Sequence, residues 1–184
     1  RVLFRSPSRV AETLREEILN GTLAPGERIV QEDLAERFGA SRQPVRDALR
    51  LLEGDGLVTL KANSGAWVSK LSEQECDEAY LVRERLEPLL LSKSIPNLTQ
   101  AQVGRLKELV SEIEKTKDIE SFLRLDREFH LLSYAGANDG MLSEFVERIW
   151  NTTQHYRRAF AKLNHFANSD VTHMEHKLIL DGIL

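Results

Sequence analysis

The chain has 184 residues, 41% of them hydrophobic, enough for one or two buried cores, and its net charge of −4 argues against nonspecific coating of nucleic acid. The average hides an asymmetry: residues 1–70 hold 11 Lys/Arg against 10 Asp/Glu, while 71–184 hold 14 against 19 together with all five histidines, which suggests one domain for a polyanion and another for something else. A single cysteine, Cys76, excludes an intramolecular disulfide framework, no run approaches the roughly eighteen apolar residues of a membrane span, and RVLFRSP is too short and too charged for a signal peptide, so a cytoplasmic protein without membrane contact is expected.

The first helix is expected over residues 9–19, opened by Ser8 or Ser6, with Val10, Ala11, Leu14 and Ile18 as its apolar seam and Asn20-Gly21 as its stop. A second covers 32–38, with Leu34, Ala35 and Phe38 inward and Gly39 as its C-cap. Ser41 then N-caps a third helix, and Pro44 sits in its first turn, where a missing N–H costs little. Val45, Ala48, Leu49 and Leu52 face inward, whereas Arg42, Arg46 and Arg50, each four apart, stack on one outward face. A short helix with an arginine stripe, joined to a partner helix by three or four residues, suits a major groove. Gly54-Asp55-Gly56 ends it, and strands over 57–61 and 66–69 form a hairpin wing in which Gly65 is free to take a positive φ. Leu57, Val58, Trp67 and Val68 supply the buried side of that wing, so Trp67 reads as core and not as a stacking platform.

Leu71-Ser72 marks the boundary between a DNA-binding domain (1–70) and an all-helical domain (71–184). Ser72 and Glu75 form a capping box for a helix running to about Ser94, interrupted by Pro88. A fifth helix, from Leu98 or Thr99, carries Val103, Leu106, Leu109, Val110 and Ile113; Asp118 caps a sixth over 119–134. A seventh spans 141–163, apolar at Leu142, Phe145, Val146, Ile149 and Trp150, and residues 168–170 cap an eighth from Val171 onward. Ending on Ile183-Leu184, this domain is expected to be incomplete at its C-terminus.

Asp126 and His130, four apart in LDREFH, share one face beside the apolar Phe122, Leu125, Phe129 and Leu132. Three readings stand: a divalent cation held by oxygen and nitrogen ligands, with His173 or His176 closing the site, an ordinary His–Asp hydrogen bond, or a solvated face. His155 and His165 read as surface residues. Of Arg157 and Arg158, one either points into a helical cavity to meet a carboxylate ligand or both lie on the surface or a dimer face; Arg83 and Glu87 have the spacing of a helical ion pair.

With these segments on the page, the chain resembles the GntR family of bacterial transcription regulators, in the FadR-type branch with an all-helical FCD domain. LAERFGASRQPVRDALRLLEGDGLV carries the most specific likeness, joined by AYLVRERLEP, LDREFHLLSYAGANDGML and HMEHKLILDGI. The resemblance implies a metal on Asp126, His130 and His176, as zinc, nickel or manganese, whose fourth ligand would fall beyond Leu184, with His173 the nearby substitute. It matches Ser41, Arg42, Pro44, Arg46 and Arg50 to the recognition helix: Arg42 and Arg46 for base edges or adjacent phosphates, Arg50 for phosphate, Gln43 for adenine. In the wing Ser64 replaces the usual basic residue, leaving Lys61 and Asn63 as milder contacts; Arg28 and Gly65 complete the candidate DNA-binding set.

The expected function is a homodimeric repressor that reads a palindromic duplex operator and responds to a small sugar or organic acid held by Arg83 and Arg157 beside the metal. Two rivals are an architectural DNA-binding protein whose helices only dimerise, and a metal-dependent hydrolase. Against the hydrolase, and against an enzyme generally, the sequence has no nucleophile elbow, no HExxH and no phosphate loop.

Overall fold

A computed structural model describes residues 6–62, 65–137, 140–164 and 170–184; Asn63, Ser64 and His165 lie outside them. The fold is mainly α: a winged helix-turn-helix followed by a helical bundle. By contacts the chain divides into two compact units, Arg1–Asp77 with Glu147–His155, and Glu78–Val146 with Tyr156–Leu184.

In the first unit, α1 (Pro7–Leu19) places proline where the helix needs no N–H, and buries Val10, Ala11, Leu14 and Ile18 as its spacing predicts. α2 (Gln31–Phe38) stops at Gly39, whose φ of 57° is the left-handed C-cap conformation that glycine adopts without steric cost. α3 (Arg42–Gly54) follows at once and packs Val45, Ala48, Leu49 and Leu52, all fully buried, against α1. The valine and each leucine contribute about 1.5–3 kcal/mol by burial, so this seam fixes the helix's rotation and turns its arginines outward. Ser41 stands at the N-cap with extended backbone, but its side chain makes no capping bond there.

The wing differs from expectation in two respects. Its sheet has three strands in the order β1-β3-β2, because Arg28–Ile29 forms β1 beside β3 (Gly65–Val68), with β2 (Val58–Lys61) on the other side. Two residues carry no readable alternation, so β1 gives no sequence signal. Trp67 is not core: alternation places Ala66 and Val68 inward and Gly65 and Trp67 on the opposite face, where Trp67 stands beside its register partners Arg28 and Thr59.

α4 (Glu73–Ser94) opens on the predicted capping box, Glu75 N–H donating to Ser72 Oγ (3.3 Å) and Ser72 N–H to Glu75 Oε2 (2.7 Å), and continues through Pro88. α5 (Gln100–Lys115) starts on a second box between Thr99 and Gln102, and α6 (Ile119–Ser133) on Asp118, which accepts from Ser121 N–H. α7 covers Gly140–Asn164 and α8 Asp170–Ile183. Leu106, Leu109 and Ile113 of α5 meet Phe122, Leu125 and Phe129 of α6 and Leu180 of α8 in the second unit's core. On α7 Val146 and Trp150 are buried, whereas Phe145 is exposed.

Candidate DNA-reading face and candidate metal centre

The seam of α3 decides what its other side offers. Arg42, Gln43, Arg46 and Arg50 are all exposed, with Pro44 half-buried in the first turn. Their contacts are local: Arg42 lies 3.2 Å from Glu32 and Arg50 3.8 Å from Asp47, exposed pairs worth at most about 1 kcal/mol. Arg46 Nη2 donates to Gln43 Oε1 (2.9 Å), and Gln43 Nε2 donates to both oxygens of Asp47 (2.9 and 3.0 Å). Phosphates or base edges can replace such contacts at little cost. On the wing, Arg28, Gly65 and Trp67 occupy one face with Lys61, whose Nζ sits 5.2 Å from the Trp67 ring centroid. Strand alternation alone could have moved Trp67 to this face; its size argued for the core instead.

The second cluster is built by α6 and α8. The 3.6-residue repeat sets Asp126 and His130 one turn apart, and α8 brings His176 to them, so that one ligand atom of each lies within 4.8 Å of the others. Asp126 and His176 are buried; the His130 side chain is 19% exposed. Asp126 Oδ1 lies 3.1 Å from His176 Nε2 and 3.7 Å from His130 Nε2, while Oδ2 pairs with Arg157 of α7. Across the His176 ring, Nδ1 donates to the Thr172 carbonyl (2.7 Å), an outer contact that aims Nε2 at the cluster. Phe129 stacks edge-on against His176 with centroids 5.1 Å apart.

These surroundings set the charges. Burial alone would raise the Asp126 carboxyl, but the Arg157 guanidinium, the His176 hydrogen bond and the neighbouring imidazoles hold it well below the usual carboxylate range. Burial, opposed by Asp126 and reinforced by Arg157 and His176, pushes His130 down to about 4, so it stands neutral with a lone pair to offer. His176 goes the other way: burial would lower it, yet the Asp126 bond and charge with the Thr172 carbonyl raise it. One carboxylate oxygen and two imidazole nitrogens, one of them tautomerically fixed from outside, fit a borderline divalent ion. Among the described residues His173 is not in the cluster; it lies on α8 near Glu114.

Beside His130 opens a cavity of about 370 Å³ lined by Tyr80, Arg83, Glu87, Pro88, His130 and Tyr134. Arg83 Nε donates to Glu87 Oε1 (2.5 Å), and the Tyr134 hydroxyl donates to Glu87 Oε2 (2.9 Å). Burial, then the Glu87 charge, pushes the Tyr134 phenol up, keeping it a hydrogen-bond donor. Arg83 and Glu87 form the i,i+4 ion pair that their spacing predicts, and the pair is largely buried. Arg83 lines the cavity, and Arg157 pairs with Asp126. Neither Arg157 nor Arg158 is a surface residue, since Arg158 is 11% exposed and donates to both Glu120 oxygens; His155 is half-buried. Tyr134 escaped the sequence reading, although its place four residues after His130 puts it on the same face of α6.

Comparison with known proteins follows the same division. Residues 7–68 match the family described as bacterial regulatory proteins, gntR family, and residues 78–184 match the FCD domain. The HTH-type transcriptional regulator YdhC of Bacillus subtilis is 35% identical over 150 residues, 79% of this chain and 66% of that protein, so the match spans just under two thirds of that relative. The gluconate operon transcriptional repressor of Bacillus licheniformis is 28% identical over 177 residues, 95% of this chain and 71% of its own length. A crystal structure of a GntR family transcriptional regulator from Pseudomonas syringae is 31% identical, with a TM-score of 0.53 over 96% of this chain and 74% of that one.

Proposed function

This chain belongs to the GntR family of bacterial regulatory proteins with an FCD domain, and on that premise we propose that it is an effector-controlled repressor acting in the cytoplasm as a homodimer. A GntR-family transcription regulator with an FCD domain is the broad class; the finer reading assigns the parts. In it, residues 1–70 read one half-site of a palindromic operator, with Arg42, Gln43 and Arg46 of α3 at base edges and Ser41, Pro44 and Arg50 at the backbone. Arg28, Asn63 and Gly65 of the wing approach the flanking duplex.

Residues 71–184 bind a small sugar or organic acid. The observation that carries this is the Asp126–His130–His176 cluster, which opens through His130 into the cavity that Arg83 and Tyr134 line. A zinc, nickel or manganese ion there would supply a Lewis-acidic centre with open positions for carboxylate oxygens. The chain's own groups do the rest: Asp126 and His130 present charge and a lone pair, the Thr172 carbonyl orients His176, and Tyr134, its proton held by Glu87, lines the cavity with a phenol oxygen that can accept. A relative named for the gluconate operon supports a sugar acid and repression as the first reading to test.

Elemental analysis of the purified protein beside Asp126→Ala provides the test. About one metal per chain, absent from the variant, is expected, together with release of a selected operator duplex by gluconate or a related acid from the native protein only. A native protein without metal, whose DNA affinity no carboxylate alters, sinks the effector reading and leaves the architectural one.

A further inference from the structure

The two oxygens of Asp126 have different partners. Oδ1 faces the imidazoles, 3.1 Å from His176 Nε2 and 3.7 Å from His130 Nε2, while Oδ2 is taken by Arg157 Nη2. Any ion on Oδ1 would therefore share its carboxylate with a guanidinium. The carboxylate is 4% exposed and the Arg157 side chain 15%, so little solvent screens that charge, and a guanidinium keeps its proton at any physiological pH. A neutral donor on the outer oxygen of a ligating carboxylate orients it and strengthens the site. A cation orients it too, but it withdraws negative charge from the ligand and repels the incoming ion.

Arg157 is not the sole tie between these helices. The adjacent Arg158 already ties α7 to α6 by donating from Nε to both oxygens of Glu120, at 2.9 and 3.0 Å, with Lys162 3.7 Å from the same carboxylate. Both neighbouring arginines join α7 to α6, Arg158 through Glu120 and Arg157 through Asp126, and only the second places its charge on a candidate ligand.

We propose that Arg157 is a positioning residue and resident counter-cation of the Asp126–His130–His176 centre, holding Oδ2 and making the site bind a divalent ion less tightly than a neutral donor in its place would. This rests on the metal reading above.

Zinc affinity, measured by competition with a chromophoric chelator at fixed neutral pH, tests this with native protein, Arg157→Gln and Arg157→Lys. Glutamine can still donate to Oδ2 but carries no charge; lysine keeps the charge. Arg157→Gln is expected to bind zinc at least about tenfold more tightly, the lower end of what outer partners of metal ligands control, and Arg157→Lys to stay within about threefold of native. A thermal melt of each variant without metal confirms that the folded protein is being titrated. Equal or weaker binding by Arg157→Gln, or equal tightening in Arg157→Lys, overturns the counter-cation role while leaving the metal site in place. If native and variant chains all fail to bind zinc, the metal reading itself falls and takes this one with it. Binding by Arg157→Gln alone supports both.

Discussion

Ser41 and Thr99 show how residues of like chemistry at like positions differ in what they do. Both are N-caps with extended backbone, but the Thr99 side chain accepts from Gln102 N–H while its own N–H donates to the Gln102 side chain, whereas the Ser41 side chain makes no capping bond. Thr99→Ala therefore removes a reciprocal pair of bonds and is expected to cost about 1 kcal/mol, read as a lower urea midpoint. Ser41→Ala removes none and is expected to change stability by no more than a few tenths of that, while weakening operator binding because its hydroxyl is exposed at the N-terminus of the DNA-facing helix. Equal stability losses in the two variants would contradict the distinction. The sequence already separates them: Thr99 and Gln102 have capping-box spacing, whereas the residue three after Ser41 is Pro44, which has no N–H to donate.

At the scale of elements, two short turns show how tightly the helical bundle is joined. After α4 the chain makes a 3-10 turn at Ile95–Asn97, and after α6 another at Ala135–Ala137; the two are packed together through Ser94 and Gly136. The buried Ser94 hydroxyl accepts from Gly136 N–H at 2.8 Å, and a Cβ on Gly136 would come within 2.3 Å of the Ser94 carbonyl oxygen. Backbone, not a movable side chain, is the obstacle, so Gly136→Ala must separate the turns and is expected to cost about 3 kcal/mol, with thermal unfolding several degrees lower. A variant as stable as the native protein would show that the turns are not rigidly joined. The helices carrying these turns were legible because their seams repeat over ten or more residues, as in α1, α3 and α5. β1 was not, being two residues long, and Trp67 was misplaced because hydrophobicity outweighed a four-residue alternation. In the candidate site, Asp126 and His130 are readable together since one helix turn relates them. His176 lies 50 positions from Asp126, and only the packing of α8 on α5, or resemblance to a family, makes it a partner. The Arg157–Asp126 pair spans 31 positions and has no local signal at all.

For the whole molecule, the question is whether a metabolite bound among helices can alter the grip of arginines on DNA. An effector shifts the DNA equilibrium only by the ratio of its affinities for the free and DNA-bound protein, so tight binding by itself achieves nothing. The same ratio must then appear in reverse: if the acid weakens operator binding by some factor, saturating operator weakens acid binding by that factor. For regulators of this general size the coupling is about 1–3 kcal/mol, or 5- to 150-fold. Isothermal titration of the acid into metal-loaded protein, with and without its operator duplex, measures the factor from one side; fluorescence titration of the duplex at zero and saturating acid measures it from the other. The two factors are expected to agree and to exceed fivefold. Asp126→Ala is expected to reduce both to one while its DNA affinity without acid stays at the native value, because its arginine stripe is untouched. If the acid binds equally well with and without DNA, the helical domain does not control the DNA-binding one through this ligand, however well the acid fits its cavity.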